Sequence, residues 1–419
     1  MESQKYLEIL KEELVTATGC TEPISLAYAS CVCASYLNEE IKSIDAYVSG
    51  SIVKNVKCVV VPNTDGLRGI KAAIAIGITG GKKELKLDCL SKVSKLEKEK
   101  CRDLLKKDII RIHLSKSNYI FDIKIVMNGE HNSSEVHICN AHDNIVLIKQ
   151  NEKIIFKKKI VKLTHNDIVG RQTMNVKEIY DFASNVDISL VKDIILNQIN
   201  CNIAIAEDGL SHDYGANIGH TILSSDPKSI SAKAKAYAAA GSDARMNGST
   251  MPVVINSGSG NQGLACSLPV IIYAQALKVD EEKLIRALVL SNLLNIHIKE
   301  GIGLLSAYCG AVSAGCSSGA SIAYLYGCNL DDISHVLTNS LVVASGIICD
   351  GAKASCAAKI AIAVECGIYG YQMFKNGNEF KDGEGIVKGN IEETIKNIGR
   401  LASLGMVDTD KEILKIMMD

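Results

Sequence analysis

Apolar residues recur at helical spacing from the start of the chain. Tyr6, Leu7, Leu10 and Leu14 share one face of MESQKYLEILKEELV, and charged residues hold the other. Helical spacing returns after Pro23. Between there and about residue 150 the period shortens, through IDAYVSG, VKCVVVP, KELKLDCL, DIIRIHL, YIFDIKIVM, EVHICNA and NIVLIK. These read as β-strands. YIFDIKIVM and EVHIC flank a turn-rich segment holding Gly129, Asn132 and Ser133, which predicts a hairpin. Past residue 187 the strand signals nearly stop. DISLVKDIILNQINCNIAIAED, SISAKAKAYAAAGSDA, LPVIIYAQALKV, EEKLIRALVLSNLLNIHI and LLSAYCGAVSAGCSSGASIAYLYG read as helices. The last two are apolar on nearly every side, as at the centre of a bundle.

The expected class is therefore α+β. Residues 1–186 make a mixed α/β domain and residues 187–419 an all-helical one. Residues 151–186, with Lys157, Lys158, Lys159 and few apolar clusters, are the expected connection. A chain of 419 residues is also too long for one compact core.

Composition narrows the function classes. An apolar fraction of 47% and a charged fraction of 22% describe a globular chain. A net charge of −1 gives no reason to expect nucleic acid or an anionic membrane as partner. The N-terminal helix lacks the uninterrupted apolar stretch of a signal peptide or a membrane span, so a cytoplasmic location is expected. There the 15 cysteines would not form a disulfide framework. Most, Cys31 and Cys33 among them, are expected to be buried small hydrophobes. Large apolar helices with small-residue faces are compatible with a homodimer.

Four segments carry candidate chemistry. In TGCTEP, Thr21 as N-cap and Pro23 in the first turn place Cys20 at a helix mouth, where the macrodipole favours a thiolate. Such a cysteine serves as base, nucleophile or metal ligand, or is an ordinary loop residue. In SGSIVKN, Ser51, Lys54 and Asn55 offer hydroxyl, ammonium and amide donors suited to a carboxylate, with Gly50 opening the backbone to the same anion. The bland alternative is a glycine turn with a solvated lysine. A phosphate loop is excluded because the Gly-Lys-Ser/Thr ending is missing. In NSGSGNQG, the residues Asn256, Ser257, Gly258, Ser259, Gly260, Asn261, Gln262 and Gly263 present amides and hydroxyls to an anion or a cluster edge, with a helix resuming near Leu264. GLSHDYGANIGH adds His212, Tyr214 and His220 as proton handlers, or as merely hydrogen-bonded side chains.

The fourth segment is a triplet of cysteines amid Gly, Ala and Ser: Cys309 in AYCGAVSAG, and Cys349 and Cys356 in ICDGAKASCAAK. Soft thiolates select zinc or iron–sulphur clusters. Structural zinc usually takes four ligands in close pairs, and no C-x-x-C occurs here. A closed ferredoxin-type site lacks its dense cysteine spacing. Three widely spaced ligands fit a cluster with one corner free, and three buried core cysteines remain the alternative.

TGCTEP, SGSIVKN, NSGSGNQG and the cysteine triplet, in this order over essentially the whole chain, resemble the L-cysteine desulfidase family. That family is related to the bacterial iron–sulphur L-serine dehydratases. The resemblance implies an oxygen-sensitive 4Fe–4S cluster on Cys309, Cys349 and Cys356 with one open iron. It implies Cys20 as base, and L-cysteine as substrate, broken to hydrogen sulfide, pyruvate and ammonia without pyridoxal phosphate. Ser51, Lys54 and Asn55 with Asn256, Ser257, Gly258, Ser259, Asn261 and Gln262 would then bind the substrate. One departure separates the chain from the serine dehydratases. Their last two ligands lie further apart in a stretch beginning Cys-Asp-Pro, whereas CDGAKASC is shorter and lacks the proline. That favours cysteine over serine. The rivals are an iron–sulphur L-serine dehydratase and a non-catalytic cluster sensor, and the sequence offers the latter no DNA-binding helix pair or basic patch.

Overall fold

The structure, a computed structural model, describes residues 2–117, 119–160, 171–303 and 306–418. It opens with helix α1 (Glu2–Glu13), the short strand β1 (Thr16–Thr18), α2 (Thr21–Leu37), β2 (Ser43–Val48), α3 (Gly50–Val56), α4 (Gly69–Gly80) and α5 (Lys95–Lys106). Strands β3 (Ile110–Leu114), β4 (Asp122–Asn128), β5 (Ser133–Cys139), β6 (Ile145–Gln150) and β7 (Lys153–Lys157) follow. Helices α6 (Val176–Asn185), α7 (Ile188–Ser211), α8 (Ile218–Ser225) and α9 (Ile230–Met246) lead to strand β8 (Pro252–Val254). The chain ends in α10 (Gly260–Leu277), α11 (Glu281–Ile302), α12 (Gly310–Leu325), α13 (Leu330–Ala344), α14 (Cys356–Lys375), α15 (Ile391–Arg400) and α16 (Val407–Met418). The class is α+β.

Among the described residues, one sheet has six strands in the order β3-β2-β4-β5-β6-β7. Only its β2–β3 pair is parallel. Alternation explains its single buried face: Ile44, Ala46, Val48, Ile123, Ile125, Met127, Val136 and Ile138 all point into the core beneath α2. The predicted hairpin is present, with Asp122 opposite Cys139 and Asn128 opposite Ser133.

Two readings fail here. VKCVVVP is not a strand. It is the end of α3 followed by one isolated antiparallel bridge, Val60 to Arg68, because Val56, Val59, Val60 and Val61 are all buried, and a continuous apolar run has no period to decide its conformation. KELKLDCL contains a 3-10 turn over Lys83–Asp88 with no strand partner. The expected connection at 151–186 is also partly structured, since β7 and α6 fall within it. Its residues 161–170 lie outside the described residues, as do Leu304 and Leu305 of the last predicted helix, which begins at Gly310.

Among the described residues there are two large hydrophobic cores. One joins α2, α4 and the sheet, from Cys20 to Ile148, and takes in Met246 of α9. The other is built by α6, α7 and α9 to α15 together with α1, whose Tyr6, Leu7 and Leu10, with Leu14 just past its end, are buried in it. An antiparallel ribbon of β1 and β8, Thr16 opposite Val254 and Thr18 opposite Pro252, ties the TGCTEP segment to the NSGSGNQG segment.

Candidate active site

Residues forty positions apart meet because two short segments zip together. The Cys309 N–H donates to Ile347 O at 3.1 Å and the Cys349 N–H to Ala307 O at 2.6 Å, around a bridge between Tyr308 and Ile348. The Cys309 and Cys349 side chains then act on one another. Cys309, with Lys54, the Gly351 N–H and Lys359, pulls the Cys349 thiol down from its ordinary value, whereas Cys309 is pushed up. Cys356 is the first residue of α14, and its Sγ lies 3.6 Å from Gly351 O. The turn before it needs Gly351 twice over. Its φ is +96°, and a Cβ there would strike the Lys54 carbonyl.

Small residues align the two cysteine-bearing helices. Gly315 packs on the backbone of Ala363 and Gly319 on that of Gly367, so α12 and α14 run parallel with their N-termini together. Cys309 occupies the N-cap position of α12 and Cys356 begins α14. Both thiols therefore lie where helix dipoles favour negative charge.

The ammonium groups of Lys54, Lys299, Lys353 and Lys359 act on this triplet. Lys54 is 2% exposed and acts on Cys349 while pairing with Asp410 of α16. Lys359 acts on Cys309 and Cys349 and pairs with Asp350. Lys299 of α11 is buried. Burial holds its ammonium down to about 8, against the opposing pull of Cys349 and Cys309.

Cys20 faces the same place from the first core. It occupies the N-cap position of α2, so Thr21 is the first helical residue rather than the cap. Its Sγ lies 3.8 Å from Met246 Sδ, which is also 3.8 Å from Asn261 Nδ2. The expected low-pKa thiol is not found. Burial drives Cys20 up to about 12, with Arg245 opposing, because desolvation of a thiolate outweighs one helix terminus.

The NSGSGNQG segment is a tight turn followed by a helix start. The Asn256 N–H donates to Ser259 O at 3.1 Å and the Ser259 N–H back to Asn256 O at 3.0 Å. Ser257 and Gly258 supply the two positive φ values, 49° and 72°. The helix begins at Gly260 with Ser259 in the N-cap position, earlier than the expected Leu264. Beneath it runs a buried amide ladder. Gln198 and Asn292 exchange hydrogen bonds at 3.0 and 2.8 Å, Asn256 donates to Asn292 at 2.8 Å, and Asn295 donates to Asn256 at 2.7 Å and to Gln262 at 3.3 Å. Asn256 is thus occupied beneath the site, while Asn261 and Gln262 stand at its wall. A Cβ on Gly310 would lie 2.8 Å from the Gln262 amide, which puts Gln262 against Cys309.

SGSIVKN is helix α3. Lys54 and Asn55 are buried and Ser51 is half-buried in its first turn. Asn55 donates to Glu22 of TGCTEP at 3.4 Å. Gly50 is covered by Leu414 of α16, so its backbone is closed by a side chain rather than open to an anion. His212, Tyr214 and His220 are not brought to this place. His212 is exposed and pairs with Asp208, which also raises the Tyr214 phenol, and His220 is exposed on α8.

Sequence reasoning missed Arg245, Met246, Asn292, Asn295 and Lys299. The one available signal was a lone arginine closing the alanine-rich stretch AKAYAAAGSDAR, where a charge has no amphipathic face to occupy. Another metal-ligand grouping, Asp122, His137 and Cys139, lies on β4 and β5. There the carboxylate is already satisfied by His137 at 2.5 Å, Ser115 at 2.5 Å and Ser117 at 2.6 Å. Three soft donors, two of them at helix starts and the third favoured as thiolate, with ammonium groups acting on them, fit an anionic iron–sulphur centre far better.

A family model described as serine dehydratase alpha chain matches residues 83–415. The chain belongs to the serine dehydratase alpha-chain family. Full-length relatives agree in extent. A UPF0597 protein of Desulfitobacterium hafniense is 49% identical over 99% of this chain and 97% of its own length. UPF0597 proteins of Finegoldia magna and Treponema denticola are 44% and 43% identical, each over 99% of this chain and 100% and 98% of their own lengths. Serine dehydratases of this family are iron–sulphur dependent, which makes this member a dehydratase-like, lyase-type enzyme acting on a small molecule. Among the described residues no helix is long and apolar enough to cross a membrane.

Proposed function

We propose that this family member is an L-cysteine desulfidase, eliminating hydrogen sulfide from L-cysteine without pyridoxal phosphate, in a reducing cytoplasm. Cys309, Cys349 and Cys356 would hold a 4Fe–4S cluster by three corners. When bound, that cluster supplies a Lewis-acidic iron that polarises the departing heteroatom. The observation that carries the reading is the meeting of Cys309 with Cys349 beside Cys356, with the ammonium groups of Lys54, Lys299, Lys353 and Lys359 acting on them. Cys20 Sγ, after giving up its own proton to solvent, accepts the α-proton as a thiolate. The Cα–H electrons form the Cα=Cβ bond and the Cβ–S pair leaves on sulfur, giving aminoacrylate, which tautomerises and is hydrolysed by water to pyruvate and ammonium. Burial keeps Cys20 a thiol in the resting protein, so activity should rise toward alkaline pH. Asn261, Gln262 and the α10 N-terminus orient the substrate and stabilise charge developing on its carboxylate. Asn55, bonded to Glu22, and Ser51 would line the adjoining wall, Lys54 supports the cysteine side, and Asn256, Ser257, Gly258 and Ser259 shape the turn that presents Asn261.

The family description itself favours a second reading, dehydration of L-serine to pyruvate and ammonia. Parallel assays on protein purified without oxygen decide between them. Sulfide from cysteine with little pyruvate from serine is expected. Efficient pyruvate formation from serine with no sulfide from cysteine would overturn the proposal.

A further inference from the structure

Arg245 ends helix α9 and is 4% exposed. A guanidinium stays charged at any pH a protein survives, so its burial calls for an anion. Among the described residues no carboxylate pairs with it. Its one hydrogen-bond partner is the neutral Asn261 Oδ1, 3.2 Å from Nη1, and its buried Nε has no partner. The nearby ammonium groups contrast with it. Lys54 is paired with Asp410 and Lys359 with Asp350.

The position of this cation is constrained. Its side chain runs beneath Gly260, where a Cβ would strike Nε, so the α10 N-terminus is built to admit it. Its chain neighbour Met246 touches both Cys20 and Asn261. Arg245 also acts electrostatically on Cys20. In an α-amino acid the carboxyl carbon is one bond from the α-carbon. Whatever holds the carboxylate must therefore lie beside the group that takes the α-proton.

We infer that Arg245 is the anchor for the substrate's α-carboxylate, binding it through the guanidinium fork while Cys20 addresses the neighbouring α-carbon. The inference rests on the lyase reading above and adds Arg245 to Asn261, Gln262 and the α10 N-terminus as the charged group that holds the carboxylate. Two parallel N–H donors fix the carboxylate plane, and the positive charge offsets negative charge delocalised from the α-carbon as the proton leaves. The site then selects small molecules that carry a carboxylate next to the reacting carbon and rejects simple amines and thiols.

The test uses cluster-loaded protein handled without oxygen and two unreactive thiols, 3-mercaptopropionate and ethanethiol, which differ by the carboxylate. Isothermal titration of the wild type should show 3-mercaptopropionate binding on the order of a hundredfold tighter than ethanethiol. Arg245→Gln should remove that difference while ethanethiol affinity and iron content stay unchanged. Asn261→Asp gives a second readout, because it offers Arg245 a carboxylate from within. It should raise the melting temperature yet weaken 3-mercaptopropionate binding at least tenfold, two effects that a purely structural arginine would not combine. Undiminished 3-mercaptopropionate binding in either variant overturns the inference, as does equal loss for both thiols with iron retained. Wild-type discrimination between the probes without sulfide release from cysteine would instead leave the anchor standing and remove the desulfidase reading.

Discussion

Asp243 is a carboxylate in the wrong solvent. It is 1% exposed, accepts from the Gly219 N–H at 3.1 Å through Oδ2, and leaves Oδ1 without a partner. Burial raises it to about 6. A group raised on folding contributes stability below its unfolded value of 3.8 and loses it as pH climbs to about 6. The ionised form therefore costs on the order of 2–3 kcal/mol at neutral pH. Asp243→Asn should raise stability at pH 7 and flatten the slope between about pH 4 and 6, as read by urea unfolding across that range. An unchanged slope would mean that another group titrates there. Cys20 belongs to the same scale. Cys20→Ala should keep its iron and lose roughly 10²–10⁴-fold in turnover, the usual worth of a general base, measured by sulfide release. At this scale TGCTEP and NSGSGNQG announced themselves by composition. Arg245, Asn292 and Lys299 did not, because their meaning lies in partners from distant segments and one polar residue in an apolar helix has no periodicity to mark it.

Helix pairs decide whether the cysteines meet. α12 and α14 lie close enough that a Cβ at Gly319 would collide with the backbone of Gly367. Gly319→Val should push the helices apart, separate Cys309 from Cys356, and cost both iron and several kcal/mol of stability through overpacking. Normal iron content in a folded Gly319→Val protein would break the link between this packing and the cluster. α16 matters through one ion pair, since Asp410 covers the buried Lys54. Asp410→Asn should destabilise the fold by about 2 kcal/mol, below the 3–5 kcal/mol of a fully buried pair because Asp410 is partly exposed. Thermal unfolding checks it. Alternating strands β2 to β6 were legible because one sheet face is buried and the other is not. VKCVVVP and KELKLDCL misled because neither has a period that separates strand from turn, and VKCVVVP pairs only through the single bridge of Val60 to Arg68.

Over the whole molecule, the candidate site lies where two hydrophobic cores meet. Cys20 and Met246 belong to the first, Cys356 packs against it, and Cys309 packs against the second. The α+β class follows from the change of period near residue 187. The path of the chain was harder to read. α1 is helical by pattern but packs with the distant helices, and no local rule tells an amphipathic helix which core it will join. The β1–β8 ribbon, three residues a side, was too short to register as sequence alternation, yet it joins two of the four chemical segments.

Iron and acid-labile sulfide in oxygen-free protein, assayed beside sulfide release from L-cysteine, test the central claim most directly. The wild type should hold about four of each per chain, as a cubane requires, and release sulfide, while Cys349→Ala should lose the iron and the activity together. Full sulfide release from iron-free protein, or undiminished iron and turnover in Cys349→Ala, would contradict it.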